Sequence, residues 1–350
     1  MSQYLVLSQM DVQNANSIAG LTWGYPAITH FLGFTHALSR KLSLIYTGDY
    51  DTVLSGCAAI SHLLQNKVYQ PKPFADFEFI QSKNPPVLAK HKNGSPPIIE
   101  EGKLNLTVSL VIELNKSLTL TTEQIHSFEQ KVMEMCYGMR LAGGIILNIK
   151  QIKLLSASTE NQHKDMLRKI KRLTMPGFIL LDRSNYLNEH YQTLLDTHEQ
   201  NGGNPPPQLL DAWLDFSALQ YKASPHLKDG KTEPDDSTPA DWAYVKKPKP
   251  GYLVPLVTGY KAISELYEAG NVSNTRDEVT PSRFVEAVHS IGEWKGMHSV
   301  KNLPDVIWRY VHDGQWYLCK QNLSSESTTA TDLVADSTQL LNLTEALNLF

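Results

Sequence analysis

From Leu104 to Leu114 the chain reads Leu-Asn-Leu-Thr-Val-Ser-Leu-Val-Ile-Glu-Leu, and no other stretch limits the fold as tightly. Apolar and polar residues alternate through most of it. Successive strand side chains point to opposite faces, so this is a strand with one buried and one wet face. Such a strand needs a sheet around it and an apolar cover on one side. Tyr4 to Val12 reads as a second, more apolar strand. Between the two, residues 26–42 set Ile28, Phe31, Leu32, Leu38 and Leu42 on roughly one helical face. Pro26 opens that helix, since a missing N–H costs nothing at the first helical position. Residues 53–64 and 74–81 carry strand-like runs, broken by Pro71, Pro73, Pro85 and Pro86. Lys90 to Pro97 is polar and rich in Gly and Pro, so it is a loop. Thr121 or Thr122 caps a further helix, with Glu123 and Gln124 in its first turn, that runs to about Tyr137. Gly143-Gly144 then lead into the apolar run Ile145-Ile146-Leu147.

The succession is strand, helix, strands, strand, helix, strand. It implies an α+β fold built on a split β-α-β unit of the ferredoxin-like kind, the layout of RNA-recognition domains. Beyond it, the pattern predicts a basic helix over about 160–173, a strand at Phe178–Leu181 after Pro176-Gly177, a helix over 184–200 and a loop from Asn201 to Pro207. Ala223 to Asp241 is Pro-rich, polar and acidic and reads as a flexible excursion. Strand-like Tyr252–Val257, a helix near Pro281–Ile291, and strand-like Val306–Trp308 and Trp316–Leu318 follow. Residues 324–338 read as a Ser/Thr-rich tail, and Leu340–Phe350 as a short amphipathic helix. The chain thus divides into 1–149 and 250–322 as two parts of one core, 150–222 as an inserted helical and basic segment, 223–249 as the excursion and 323–350 as the tail.

A hydrophobic content of 41% in 350 residues is ample for a core. The net charge of −4 excludes a protein that is basic everywhere, so any nucleic-acid site is a local patch. Cys57, Cys136 and Cys319 are far apart, odd in number and without metal-ligand spacing. They fit reduced thiols of a cytoplasm rather than a disulfide framework. No signal-like start and no run of about 18 apolar residues appears, so no membrane association is expected. The twelve histidines are scattered, and no His-Glu-x-x-His, Gly-x-Ser-x-Gly or Cys-x-x-Cys motif occurs. No catalytic residue, metal or cofactor is assigned. Acid–base RNA cleavage needs only a few placed groups, so a ribonuclease is not excluded.

Four stretches can carry binding. Gln13-Asn14-Ala15-Asn16 joins the first strand, through Leu21-Thr22-Trp23-Gly24-Tyr25-Pro26, to the first helix. Its amides can donate and accept, but Asn14 and Asn16 can equally hold turns. Trp23 and Tyr25 can stack on bases or pack as a plug, and Trp23 is read as the plug that sets the loop. Arg140 with Gly143-Gly144 can approach a phosphate closely, or simply form a tight turn. Between Lys150 and Arg172, the cations Lys150, Lys153, Lys164, Arg168, Lys169, Lys171 and Arg172 face only Glu160 and Asp165. On a helix Lys164, Arg168, Lys171 and Arg172 share one face, while Met166, Ile170 and Leu173 line the other. That stripe suits phosphates, or is a solvated face. Asn271 to Phe284 holds Arg276 and Arg283, with Arg276-Asp277 readable as a local ion pair.

These blocks together resemble the family of second Csy subunits of type I-F CRISPR surveillance complexes, members of the RAMP superfamily. The resemblance runs from about residue 5 to 320. It is carried by Gln13–Asn16 with Thr22–Pro26, by Met139–Gly144, by the basic run ending Arg172-Leu173 with Pro176-Gly177-Phe178, and by Lys249–Pro255. Val272–Glu278, Thr280-Pro281, Arg283–Glu286 and Gly292-Glu293-Trp294 continue it in order. It implies a ferredoxin-like RAMP core with inserted elements and a non-catalytic role. Such a subunit binds the 5′ handle of the crRNA, pairs with the large subunit, seats the first backbone subunit and stands near the target DNA. On that reading the RNA-contacting candidates are Asn14, Asn16, Arg140, Gly143, Gly144, Lys164, Arg168, Lys171, Arg172, Arg276 and Arg283. Two alternatives remain: a RAMP endoribonuclease that processes repeat RNA, and a protein-only adaptor. The 223–241 excursion and the tail from Ser324 have no counterpart in the family pattern.

Overall fold

The alternation at Leu104–Leu114 becomes the middle of a sheet. In the computed structural model, which describes residues 1–46, 53–83, 98–202, 205–226, 234, 238–275, 277–321 and 341–342, the N-terminal half runs as follows. β1 (Ser2–Asn16) leads through β2 (Ile18–Ala19) and β3 (Thr22–Trp23), a two-strand turn of their own, to α1 (Ile28–Tyr46). β4 (Leu54–Asn66), β5 (Val68–Tyr69), β6 (Glu78–Lys83) and β7 (Ile98–Glu101) precede β8 (Lys103–Leu114). α2 (Thr122–Tyr137), β9 (Arg140–Leu141), β10 (Gly144–Ala157) and α3 (Glu160–Thr174) complete it.

The four long strands stand in the order β4-β8-β1-β10, each antiparallel to its neighbour. Leu104, Leu106, Val108, Leu110 and Ile112 are all buried on the face that α1 and α2 cover. Each such side chain stabilises by about 1.5–3 kcal/mol. On the opposite face, among the described residues, α3 covers the first part of the sheet. There Tyr4, Val6, Ala58, Ile60 and Val111 pack under Met166 and Ile170 of α3. Both helix starts are fixed locally by reciprocal caps. Thr121 pairs with Gln124 and Thr159 with Gln162, each side chain reaching the other's backbone N–H. β6 begins four residues later than the strand-like run from 74 suggests. Phe74 holds a positive φ of 67° after Pro71 and Pro73, which keeps the chain out of a ladder.

The C-terminal half holds β11 (Phe178–Asp182), α4 (Ser184–Asn201), α5 (Leu209–Ser217), β12 (Tyr221–Pro225), β13 (Ala240–Tyr244), β14 (Tyr252–Ala262), β15 (Val285–Gly296), β16 (Trp308–Asp313), β17 (Trp316–Gln321) and β18 (Leu341–Asn342). β4 is shared between the halves. Beyond β8, its other edge pairs with β16 at Cys57–Trp308 and with β11 at Ile60 and Ser61. The ladders β11-β15-β14-β17-β16 then close a circuit back onto β4. Inside it Trp308 Nε1 donates to Leu180 O at 3.0 Å, and Gln321 Nε2 donates to Leu180 O and Val306 O at 3.1 and 2.9 Å. α4 and α5 cover the outside through Leu187, Ala212, Trp213 and Phe216.

Three expectations are corrected. The helix expected near Pro281–Ile291 is the strand β15, in register with β14 from Tyr252–Trp294 to Ala262–Val285, because sheet pairing overrides local propensity. The 223–241 excursion is ordered at both ends. β12 and β13 form a ribbon in which Tyr221 faces Tyr244 and Ala223 faces Trp242 across the ladder, and cross-strand aromatic pairs of this kind hold ribbons. Its residues 227–233 and 235–237 lie outside the described residues. Of the helix expected at Leu340–Phe350, Leu341 and Asn342 are described, and they pair as a strand with β15. The 324–338 tail and the Lys90–Pro97 loop lie outside the described residues. Among the described residues no helix is long and apolar enough to cross a membrane.

Candidate nucleic-acid interface

The end of the four-stranded sheet away from α3 gathers five of the sequence candidates. Leu141 and Gly144 pair across a two-residue turn whose Ala142 and Gly143 have φ of 49° and 76°. Positive φ at both positions is the turn that matches strand twist. Gly144 is required for another reason. A Cβ there would stand 2.7 Å from Gln13 O and 2.8 Å from Ala15 N, so β10 could not approach β1. The double glycine is therefore a tight turn with a close strand contact. Arg140 Nη1 donates to Gly143 O at 3.2 Å, and the other donors of this exposed guanidinium have no partner among the described residues. Asn16 N donates to Ala142 O at 2.8 Å, tying this turn to the Gln13–Asn16 stretch. The Asn16 side chain spans the backbone N–H and O of Ile18 at 3.2 and 3.0 Å, a turn-holding role. Asn14, at φ 59°, takes a hydrogen bond from Lys67 Nζ on its side-chain oxygen and donates its N–H to Asn105 Oδ1 at 3.2 Å.

Lys67 and Asn105 are functional candidates that sequence reasoning missed. The alternation of β8 already put Asn105 on its wet face; only the register across β4, β8 and β1 shows that Lys67 meets Asn14.

From this end a polar network crosses the part of the sheet that α3 leaves uncovered. Lys150 Nζ donates to Gln9 Oε1 at 3.0 Å, and Gln9 N donates to Ser109 Oγ at 2.8 Å. His62 bridges Pro176 O through Nδ1 and Ser109 Oγ through Nε2, both at 2.6 Å. A carbonyl only accepts, so Nδ1 carries the proton and Nε2 accepts from Ser109. Burial, then the nearby charge of Lys150, holds the His62 pKa below 6.5, against the carbonyl bond that raises it. Thr107 Oγ1 and Asn148 Nδ2 donate to the two oxygens of Asp11, at 2.8 and 3.2 Å.

The α3 stripe is less free than its spacing implies. Lys164 pairs with Glu160 and Arg168 with Asp165, each at 2.7 Å and well exposed. Lys171 Nζ donates to His298 O at 2.7 Å. Arg172 is exposed and has no partner among the described residues. It stands in the last turn of α3, next to Leu173, whose carbonyl takes Ser8 Oγ at 2.6 Å. The stripe thus lies on the exposed side of α3, opposite the Met166 and Ile170 that pack on the sheet. Arg283 is not brought to this site. It donates to Gly314 O at 3.3 Å beyond the Ala262–Val285 end of the β14–β15 ladder. Arg276 lies outside the described residues.

Beside Asn66 and Lys67 opens a cavity of about 700 Å³. Its walls come from Thr22 to Ala27, from Ser61, His62, Leu64 and Asn66 of β4, from Phe178 and Leu180 of β11, from Tyr252 to Val257 without Leu253, and from Trp294. Here the reading of Trp23 as a plug is corrected. Trp23 is 45% exposed at the mouth and meets Phe77 and Phe79 edge-on at 6.4 and 5.5 Å. Tyr25 is the plug, stacked on Phe31 at 5.6 Å and edge-on to Trp294 at 4.8 Å. Gly24, at φ 122°, makes the reversal that sends the two rings apart.

Comparison with known proteins agrees with the sequence blocks. A family model described as "CRISPR-associated protein (Cas_Csy2)" matches residues 5–319. The chain is 34% identical over 315 residues to "CRISPR-associated protein Csy2" of Pseudomonas aeruginosa (strain UCBPP-PA14), covering 87% of this chain and 90% of that protein. Matches of this length and identity place the chain in the family its sequence blocks resemble: it belongs to the CRISPR-associated Csy2 family, the Csy2 subunits of type I-F.

Proposed function

We propose that this chain is a non-catalytic subunit of a type I-F CRISPR effector that grips the 5′ handle of the crRNA. The observation that carries the reading is the gathering of Asn14, Asn16 and Arg140 with Lys67, Asn105 and Lys150 on the polar end of a four-stranded sheet. Single-stranded RNA is bound by cations along the backbone and by amides and aromatic rings on splayed bases; this surface offers the cations and amides, and the exposed Trp23 lines the neighbouring cavity. Support for a ferredoxin-like RAMP core comes from the strand order β10-β1-β8-β4 with α1 and α2 on one face. The division of the chain at about residues 149, 222, 249 and 322 belongs to the same proposal. Pairing with the large subunit, seating the first backbone subunit and standing near target DNA are its remaining parts. Lys164, Arg168 and Lys171 contribute less than Arg172, because each already has a partner; Arg276 and Arg283 stay as outlying candidates.

Sequencing the RNA that co-purifies with the tagged chain tests the reading directly. A single guide species with its handle intact is expected, and random cellular RNA would refute it. Incubation of the purified protein with labelled repeat RNA, without added metal, should leave the RNA whole. Cleavage at one site would replace this reading by that of a processing endoribonuclease.

A further inference from the structure

One edge of β15 is lined throughout by β14, from Ala262–Val285 to Tyr252–Trp294. The other edge is only partly paired. β11 covers it from Gly292 to Gly296, and β18 meets it at His289 and Val288. From there to Val285 no strand among the described residues stands beside it. The backbone shows which groups face that gap. Ile291 O takes Arg183 N at 2.9 Å on the β11 side, and Phe284 O takes Ile263 N at 3.0 Å on the β14 side. Strand residues alternate between the two sides, so the N–H and C=O of Val285, Ala287 and His289 turn to the outer edge. A row of such groups is a template for a further strand.

The chain itself holds a segment that fits this template. Leu341 stands opposite His289 and Asn342 opposite Val288, antiparallel, so the residues after Asn342 head toward Val285. One step per residue sets Leu343 opposite Ala287, Thr344 opposite Glu286 and Glu345 opposite Val285. The sequence from Leu341 to Leu349 reads Leu-Asn-Leu-Thr-Glu-Ala-Leu-Asn-Leu. Leucine occupies 341, 343, 347 and 349, and Asn or Thr occupies 342, 344 and 348, which is the period of a strand with one apolar face. In the β18 register these leucine positions fall opposite the apolar, covered face of β15. His289 on that face is 1% exposed, and Ala287 packs against Ala19, Ala27 and Val257. Val285 continues the face and is 48% exposed, which leaves room for a leucine one diagonal away.

We propose that the C-terminal segment continues β18 through Leu343 and Thr344 to Glu345, and that it closes the outer edge of β15 as a strand of the same chain. Leu343 then covers Ala287 and Val285, and a strand from any other protein finds this edge taken. Paired cysteines in the full chain test the register. Directly opposite residues of a hydrogen-bonded antiparallel pair have Cα atoms about 5.5 Å apart, within disulfide reach. Val285→Cys with Glu345→Cys should therefore close an intramolecular crosslink under mild oxidation. Val285→Cys with Thr344→Cys, whose side chains point to opposite faces, should stay reduced. Equal crosslinking of the two pairs, or none, overturns the proposal. A crosslinked dimer overturns it too, because the strand then comes from a second copy. Amide exchange over Val285–Ala287, followed by mass spectrometry, gives a reading without cysteines. Leu343→Pro deletes the N–H that faces Ala287, so exchange there should quicken by about tenfold. Equal exchange in the two proteins refutes the added strand.

Discussion

Replacing Lys67, Lys150 and Arg172 together by alanine should weaken guide RNA binding and flatten its salt dependence. Lys67 and Lys150 stand on the polar sheet face and hold only neutral partners, and Arg172, on the exposed side of the last turn of α3, holds none among the described residues. Each phosphate neutralised on a single strand contributes about 0.7 to the slope of log K against log salt. Three lost contacts should lower the slope by about 2. At 0.15 M salt one such contact is worth about fourfold, so the triple variant should bind about 50-fold more weakly, or about 2.3 kcal/mol. The control is Lys164→Ala with Arg168→Ala. Those side chains already face Glu160 and Asp165 at 2.7 Å, so removing them should change the slope by less than about 0.5. Filter-binding titrations of a handle-length RNA from 50 to 300 mM KCl measure both slopes. The reasoning is refuted if the two variants lose equal slope, or if only the α3 pair matters. A melting temperature shared by all three proteins keeps the comparison clean.

Gly144→Ala should cost about 1–3 kcal/mol, because its Cβ meets the Gln13 and Ala15 backbone; an unchanged melting temperature would disprove that close approach. Glu113→Ala should destabilise by about 2 kcal/mol in denaturant titrations, since its Oε2 takes Arg309 Nη2 at 2.7 Å and Nε at 3.1 Å and Ser55 Oγ at 2.8 Å. Burial pushes the Cys57 and Cys136 thiols up to about 12, and Cys319 higher still. A thiol reagent at pH 8 should therefore label none of the three in the folded protein and all three once it is unfolded. Burial holds His30, His62 and His289 below 6.5, so the folded state binds fewer protons than the unfolded one. Their contribution to stability is complete above about pH 6.5 and is lost as the pH falls through the folded values. Thermal melts should thus fall from pH 7 toward pH 5, and a flat or rising profile would contradict the burial of these rings.

Sequence by itself determined what is local. The period of two at Leu104–Leu114, the cap at Thr121 and the apolar face of α1 act over a few residues, so they are legible wherever they occur. The collinear blocks likewise gave the family. Tertiary structure decided what depends on distant partners. Nothing within Val285–Ile291 says that it is a strand until β14 stands beside it. Nothing in β4 announces that its far edge is divided between β11 and β16. The candidate site follows the same division. Asn14, Asn16, Arg140 and the two glycines could be named from their types, but Lys67 joined them only through a register linking positions 53 residues apart. The α3 cations were counted correctly, yet their availability was set by hydrogen-bond geometry: Lys164 and Arg168 turn to acids on their own helix and Lys171 to a carbonyl on another segment. Periodicity and caps are short-range energies written along the chain, whereas register, cavity walls and charge pairing are energies between segments that the linear order does not record.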